Sequence, residues 1–424
     1  MTTTTFFETT RIARARRRTG FLSVLATVTM TASLAMPAGA ASAYTSRVAP
    51  LPSNSFAHPQ ANLLGVSCPS TGNCVAVGRY QANSGPTGVI ETERHGIWLA
   101  PIIVKLPADA DASPNTALNA VKCVSIGNCV AVGQYKATTS YEGLIVTESS
   151  GVWGTGVKAP LPSDAITSTV TSLYGIDCVN TTTCVAVGQY QNAIRDQALI
   201  IRKSNGVWGG ALRARLPKYA KPNFITQLDG VSCTSAGNCV AVGQFVDTSP
   251  ARRAMIDTEV NGTWTSSVVA PLPTNADRNP WAGLFGVRCF SGGNCVAVGV
   301  YQGPYGGQGL IDTETGGVWS STRQAPLPAG QAVSSHAAQL LSVSCVSFTH
   351  CVAVGEDLAG INDFGVAATG TNGSWSSVVT PRPSDASTPS YGILNAISCT
   401  TATSCVSVGQ YASSTGQPAL ITTR

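Results

Sequence analysis

Fourteen cysteines are the residues whose type and spacing speak first to chemistry. They fall in seven pairs with five residues between partners: Cys68 and Cys74, Cys123 and Cys129, Cys178 and Cys184, Cys233 and Cys239, Cys289 and Cys295, Cys345 and Cys351, and Cys399 and Cys405. Such pairs can be disulfides, metal ligands or redox centres. Zinc needs four ligands, and the four histidines (His58, His95, His336, His350) stand at no fixed distance from the pairs, so no metal is expected. A redox centre would show Cys-x-x-Cys. Pairing of every cysteine within its own neighbourhood predicts seven short structural disulfides and an oxidising compartment.

Other reactive constellations are absent. There is no Gly-x-Ser-x-Gly, no His-Glu-x-x-His and no phosphate-binding glycine loop, and no catalytic residue or cofactor is assigned. With four histidines, imidazole acid–base chemistry is not expected. Two carboxylates could hydrolyse or eliminate at a sugar. Asp109, Asp111, Asp164, Asp277 and Asp385 are the candidates, but their recurrence after Leu-Pro fits turn capping.

The cysteines are also a ruler. Each pair begins 54 to 56 residues after the last, a period that marks a repeat architecture. Leu stands five residues before each first cysteine, and a small residue three before it: Gly65, Ala120, Gly175, Gly230, Gly286, Ser342 and Ala396. The second cysteine opens Cys-Val-Ala-Val-Gly, or Cys-Val-Ser-Val-Gly in the last copy. An apolar segment such as Gly143–Glu148 follows, then a Gly-x-Trp segment ending near Leu-Pro. These are four short, β-branched, alternating segments split by turn residues, and they read as four antiparallel strands. Val75, Val77 and their copies should fill the layers between sheets, and the small residues should let the innermost strands crowd.

Seven units of four strands give an all-β fold, a seven-bladed β-propeller. The seventh unit lacks its Gly-x-Trp strand. Tyr44–Pro52 matches Trp264–Pro273 with one residue fewer, so the first strand of the mature chain is expected to complete the last blade. Residues 44–424 resemble seven-bladed propellers with split-blade closure. The resemblance covers architecture only. No Trp-Asp repeat, kelch double glycine or Asp-box is present, so no functional residue carries over.

Residues 1–43 read as a secretory signal. Five arginines (Arg11, Arg14, Arg16, Arg17, Arg18) precede the apolar stretch Phe21–Met36 and two Ala-x-Ala sites, which place cleavage after Ala40 or Ala43. The apolar stretch is shorter than the roughly 20 residues of a comfortable membrane span. These residues hold five of the 26 basic and one of the 21 acidic side chains, so the formal charge of +5 falls to +1 without them. A near-neutral ring argues against a nucleic-acid or anionic-membrane partner.

Three groups of residues are candidates for ligand binding. Six rings follow the Val-Gly of strand two: Tyr80, Tyr135, Tyr190, Phe245, Tyr301 and Tyr411. Beside amides, they are what a sugar stacks on, although packing beneath a loop explains them more simply. Non-repeating charges (Lys122, Asp177 and Arg288) stand one residue before the first cysteine, with Asn119, Asp229 and Asn395 nearby. These could line an axial site, or Lys122 and Asp177 could pair across blades. Lastly, the Pro-rich connections (107–117, 162–172, 217–227) differ between copies, and Trp281, beside Arg278 and Asp277, is an anchor outside the repeat. The expectation is a secreted or envelope-associated, monomeric propeller that binds a protein or carbohydrate. A secreted glycosidase or polysaccharide lyase is the alternative, and a passive envelope part a third.

Overall fold

The computed structural model describes residues 44–424 except 167–169, 219, 222–223, 250, 266, 279, 330–335 and 390; the expected signal segment, 1–43, lies outside the described residues. The described chain is all β, in seven sheets each built on four antiparallel strands. Blade 3 serves as the example: Ser172–Asn180, Thr183–Gln191, Asp196–Ser204 and Val207–Arg213, in that spatial order.

The closure follows the sequence reading. Thr45–Val48 pairs antiparallel with Ala419–Thr423, in register from Thr45 opposite Thr423 to Val48 opposite Leu420. One sheet is thereby built from both ends of the described chain, and the edge that an incomplete seventh blade would leave bare is covered. The expected fourth strand is less regular than the sequence implies. In blades 1, 2 and 4 it breaks after the tryptophan and resumes at Ile102–Ile103, Val157–Lys158 and Val268–Val269. Blades 3 and 5 carry a register shift at the same level.

Alternation along strand two decides how the blades stack. Val75, Val77 and Ile90 of blade 1 form one buried cluster with Leu118, Val121, Ala131, Tyr135 and Leu144 of blade 2. The valine face of each blade therefore meets the cysteine-alanine face of the next, as expected. At the axis the small residues are required. A Cβ on Gly65 would lie 2.8 Å from Ala120 Cα, and one on Gly230 would lie 2.7 Å from the Phe285 carbonyl oxygen.

All seven expected disulfides close, one per blade and each between sequence neighbours. Cys68 bonds Cys74, Cys123 bonds Cys129, Cys178 bonds Cys184, and Cys233 bonds Cys239. Cys289 bonds Cys295, Cys345 bonds Cys351, and Cys399 bonds Cys405. No cysteine among the described residues is left free. In blades 2 to 7 the partners sit directly opposite each other across the inner hairpin. Each bridge closes a loop so short that chain entropy gives about 2 kcal/mol. We predict that the double substitution Cys123→Ser with Cys129→Ser still folds but loses about that much stability in urea unfolding. Complete loss of folding would assign the bridge a larger role.

The same end of the ring carries a second stitch. In five blades the residue before the first cysteine accepts a hydrogen bond from the first-cysteine N–H of the next blade. Ser67 takes Cys123 N–H at 3.0 Å, Asp177 takes Cys233 at 2.8 Å and Ser232 takes Cys289 at 3.0 Å. Ser344 takes Cys399 at 2.9 Å, and Ser398 takes Cys68 at 3.0 Å across the closure. Lysine and arginine have no acceptor atom, so Lys122 and Arg288 cannot make this bond.

Candidate functional site at the loop end

The inner hairpin of every blade carries a β-bulge one residue after the repeated leucine, as between Leu173 and Gly175 or Leu228 and Gly230. The glycine of strand two makes room for it. A Cβ on Gly188 would stand 2.0 Å from the Ser172 carbonyl oxygen, and the copies are as close. A bulge re-aims one side chain out of the alternation. Here that residue is Leu64, Asn119, Tyr174, Asp229, Phe285, Leu341 or Asn395, different in most blades. Asn119 reaches the next inner strand, donating to the Leu173 carbonyl at 2.8 Å, and Asn395 does the same to Leu63 at 2.9 Å. The bulge therefore turns an invariant backbone device into a ring of variable side chains, four polar and three apolar, at the loop end of the inner strands.

Two clusters stand at this end, the first built on the bulge residues Tyr174 and Asp229. The first joins blades 3, 4 and 5. Gln227 donates to Asp229 Oδ1 at 2.7 Å, and Asp229 Oδ2 is closed off from solvent without a hydrogen-bond partner among the described residues. Burial pushes the Asp229 carboxyl up to about 7, against the pull of its Gln227 bond and of Arg252. Tyr174, facing Asp229, is also pushed up by burial. Arg252 bonds Gln244 at 3.3 Å, and its guanidinium stacks 5.5 Å from the Trp281 ring centroid.

The second cluster marks blade 6 as the divergent copy. Where other blades have the repeated ring and the Leu of Leu-Pro, blade 6 has Asp357 and Arg382. The ring moves to the partner strand: Phe364 stands opposite Asp357, with the Arg382 guanidinium 5.8 Å from its centroid. Glu356 accepts from Gln339, and burial pushes its carboxyl up to about 7, with Asp363 adding to the rise. Gln410 donates to the Tyr391 hydroxyl at 2.7 Å, and Tyr391 is raised by burial and by Glu356 and Asp363.

The repeated rings expected to stack on a ligand do not face one. Tyr80, Tyr135, Tyr190, Phe245, Tyr301 and Tyr411 are at most 1% exposed. Their role is to hold the connecting loops. The hydroxyls of Tyr80, Tyr135, Tyr190, Tyr301 and Tyr411 bond Asn54, Asp109, Asp164, Asn275 and Asp385 at 2.7–2.9 Å. The sequence keeps donor and acceptor matched: in the blade of Phe245, which has no hydroxyl, Tyr219 stands at the sequence position of the acid or amide. Three of the candidate catalytic carboxylates are thereby committed to tyrosines, and Asp111 bonds Lys136 at 3.1 Å and caps Ser113 N–H at 2.9 Å. We predict that Tyr135→Phe costs about 1 kcal/mol in urea unfolding, through the partly buried hydrogen bond lost to Asp109. An unchanged midpoint would contradict the lock.

Lys122 and Asp177 are engaged with each other and with the backbone. Lys122 pairs with Asp177 at 2.8 Å, and Asp177 also accepts from Cys178 N–H at 2.9 Å and from Cys233 N–H. Both its oxygens are used. Arg288 stacks on its own strand's Phe290, 5.5 Å from the centroid. Among the rings expected to bind a ligand, Trp281 alone is partly exposed. No cluster of three or more His, Cys, Asp or Glu among the described residues could hold a metal ion.

No protein-family model matches this chain, and no curated protein matches it. Solved structures do. A polysaccharide lyase of family PL25, an ulvan lyase bound to -[GlcA(1-4)Rha3S]-, aligns with TM-score 0.51 over 88% of this chain and 93% of its own at 9% identity. A Dyadobacter fermentans protein of unknown function aligns with TM-score 0.48 at 9% identity over 90% and 99% of the two chains. The GH93 α-L-arabinofuranosidase of Fusarium graminearum gives 0.46 at 13%, over 77% and 98%. At such identities the likeness is one of fold: this chain is a seven-bladed β-propeller with a disulfide in every blade.

Proposed function

We propose that the chain is an exported, non-catalytic propeller that binds a carbohydrate through its loop end, as a monomeric binding or scaffold module at or outside the cell envelope. One observation carries this reading. Aromatic rings, amides and charges gather where the repeat breaks, around the Arg252–Trp281 stack and the Asp229–Gln227 pair, on a rigid stapled ring. A partly exposed flat ring with a guanidinium over one face and amides beside it suits the apolar face and equatorial hydroxyls of a sugar. Residues 1–43 would direct export, with cleavage after Ala40 or Ala43, and the seven disulfides suit that destination. No helix among the described residues is long and apolar enough to cross a membrane.

A second reading, a glycosidase or lyase, rests on blade 6. Glu356 is raised to about 7 beside Asp363 and Tyr391, which suits a proton donor with a second carboxylate at hand. A glycan array followed by product analysis separates the two. Retention of an intact glycan supports the binding module. Cleavage of the retained glycan that disappears in Glu356→Gln would support the enzyme, and retention of no glycan would contradict both.

A further inference from the structure

The mature ring is near neutral overall, yet its loop end is polarised. Basic side chains gather over blades 3 to 5, whereas blade 6 carries Glu356, Asp357 and Asp363 with one cation, Arg382. Backbone and side-chain contacts join the basic side into one arc. Arg195 lies in the turn between Gln191 and Asp196, where the Ile194 and Arg195 N–H groups donate to Asn192 Oδ1 at 3.0 and 3.1 Å. Thr226, two residues beyond Phe224, accepts from the Ala198 N–H of the same blade as Arg195 at 3.0 Å. Lys221 donates its backbone N–H to the Val246 carbonyl at 3.0 Å, and its ammonium lies 4.5 Å from the Phe224 ring centroid. Arg252 bridges to Trp281 in backbone and in side chain. Arg278 continues the arc in the same connection as Trp281, where the Asp277 N–H bonds the Gln302 carbonyl at 2.9 Å.

The acids within the arc do not cancel it. Asp247 is consumed by Arg253 and by the Ser249 and Ala251 N–H groups. Asp229 is closed off beneath Gln227, and Asp196 is half-buried. Only Asp277 among the four is well exposed. Arg195, Arg278 and the Phe224 ring are exposed, and Lys221 and Trp281 are partly so. Four cations and two rings thus lie along one track: Arg195, Phe224, Lys221, Arg252, Trp281, Arg278.

Such a track fits a chain that carries anionic groups at sugar spacing. Its rings would take sugar faces, and its guanidinium and ammonium groups would take carboxylates or sulfates between them. Resting on the carbohydrate reading above, we infer that the ligand is an anionic polysaccharide and that this arc over blades 3 to 5 is what selects its charge.

The test is a titration of the mature protein with polygalacturonate, its fully methyl-esterified form and polyglutamate. These share the sugar backbone, the charge, or both. Polygalacturonate is expected to bind at least about tenfold more tightly than the neutral ester and than polyglutamate, and to weaken as salt rises. The exposed-site variant Arg195→Ala with Arg278→Ala should lose most of that preference while keeping its thermal midpoint. A variant that unfolds is replaced by Lys221→Ala, read the same way. Equal binding of acid and ester would overturn the inference and leave the carbohydrate reading standing. Equal binding of polyglutamate would show that charge alone is read, and would overturn it too. Failure of both sugar polymers, with neutral glycans alone retained on the array, also overturns it; failure of every glycan would take the carbohydrate reading down as well.

Discussion

Raising the pH from 5 to 9 is expected to destabilise the folded ring by a few kcal/mol, because three carboxyls are buried between the blades. Glu91, Asp257 and Asp312 occupy the same position in strand three of blades 1, 4 and 5, opposite Ala76, Ala241 and Ala297. Burial pushes Glu91 up to about 8, and Asp257 and Asp312 up to about 7. The groups that face them are few. Arg47 of the closing strand opposes the rise at Glu91, the Ser267 hydroxyl bonds Asp257, and Thr322 lies beside Asp312. Neither Glu91 oxygen has a hydrogen-bond partner among the described residues.

The sign follows from proton counting. Unfolded, these groups lose their protons near 4.5 and 3.8; folded, they hold them to about 7 or 8. Across that window the folded state binds more protons, so stability is greatest below it and falls as pH rises through it. The opposite group, Asp247, is held down to about 2 by Ser249, Arg253 and backbone bonds against the cost of its burial, so its contribution is lost only in stronger acid. Glu91→Gln removes the proton linkage at one site. Its stability should match the parent near pH 5 and exceed it by about 2 kcal/mol at pH 9. Urea unfolding of both at pH 5, 7 and 9 reads this directly. Parallel stability profiles would contradict the buried-acid account.

Gly188→Ala is expected to cost more than about 4 kcal/mol, enough to remove the folded protein from expression. The added methyl would stand 2.0 Å from the Ser172 carbonyl oxygen and 2.8 Å from Leu173 Cα, both backbone atoms of the paired strand. No side-chain movement relieves this, so the inner hairpin must abandon its bulge or its register. The outer-strand Gly209 is the control: its Cβ would meet nothing within 4 Å. Gly209→Ala should leave stability within about 0.5 kcal/mol of the parent. Folded yield of both variants, with thermal unfolding of whatever folds, decides it, and a folded Gly188→Ala with an unchanged midpoint would show that the bulge is not needed.

Much of the fold was legible because the sequence repeats its constraints. The cysteine spacing measured the blades, the alternation of Val-Ala-Val set which face meets which, and Tyr44–Pro52 matched the strand that the last blade lacks. The pairing of Cys68 with Cys74, and of each later cysteine with its partner six residues on, was legible for the same reason: a tight hairpin brings only those two sulfurs together. The site was less legible for a physical reason. Residues that repeat serve the repeat, so Tyr135 and its copies, which looked like a stacking platform, anchor loops instead. The charges at Lys122 and Asp177 stood out by type, but backbone N–H groups of neighbouring blades claim Asp177, and only a register assigns those. The bulge was hidden altogether, since neither Leu nor Gly announces an extra residue between them. Asn119, Asp229 and Asn395 were visible only as neighbours of the residues before the first cysteine, and their place one residue after a repeating leucine marks the bulge. That signal, variability beside invariance, also applies to blade 6, where the simultaneous change to Asp357 and Arg382 marks the second cluster.

The central claim is that the ring is scaffold and its loop end is the binding surface. Amide hydrogen exchange of residues 44–424, with and without a glycan retained on the array, tests it most directly. Glycan addition is expected to slow exchange in the connections bearing Lys221 and Trp281 and in the turn at Arg195, with the disulfide-end turns at Gly127 and Gly151 unchanged. Slowing confined to those disulfide-end turns or to the outer strands would contradict it.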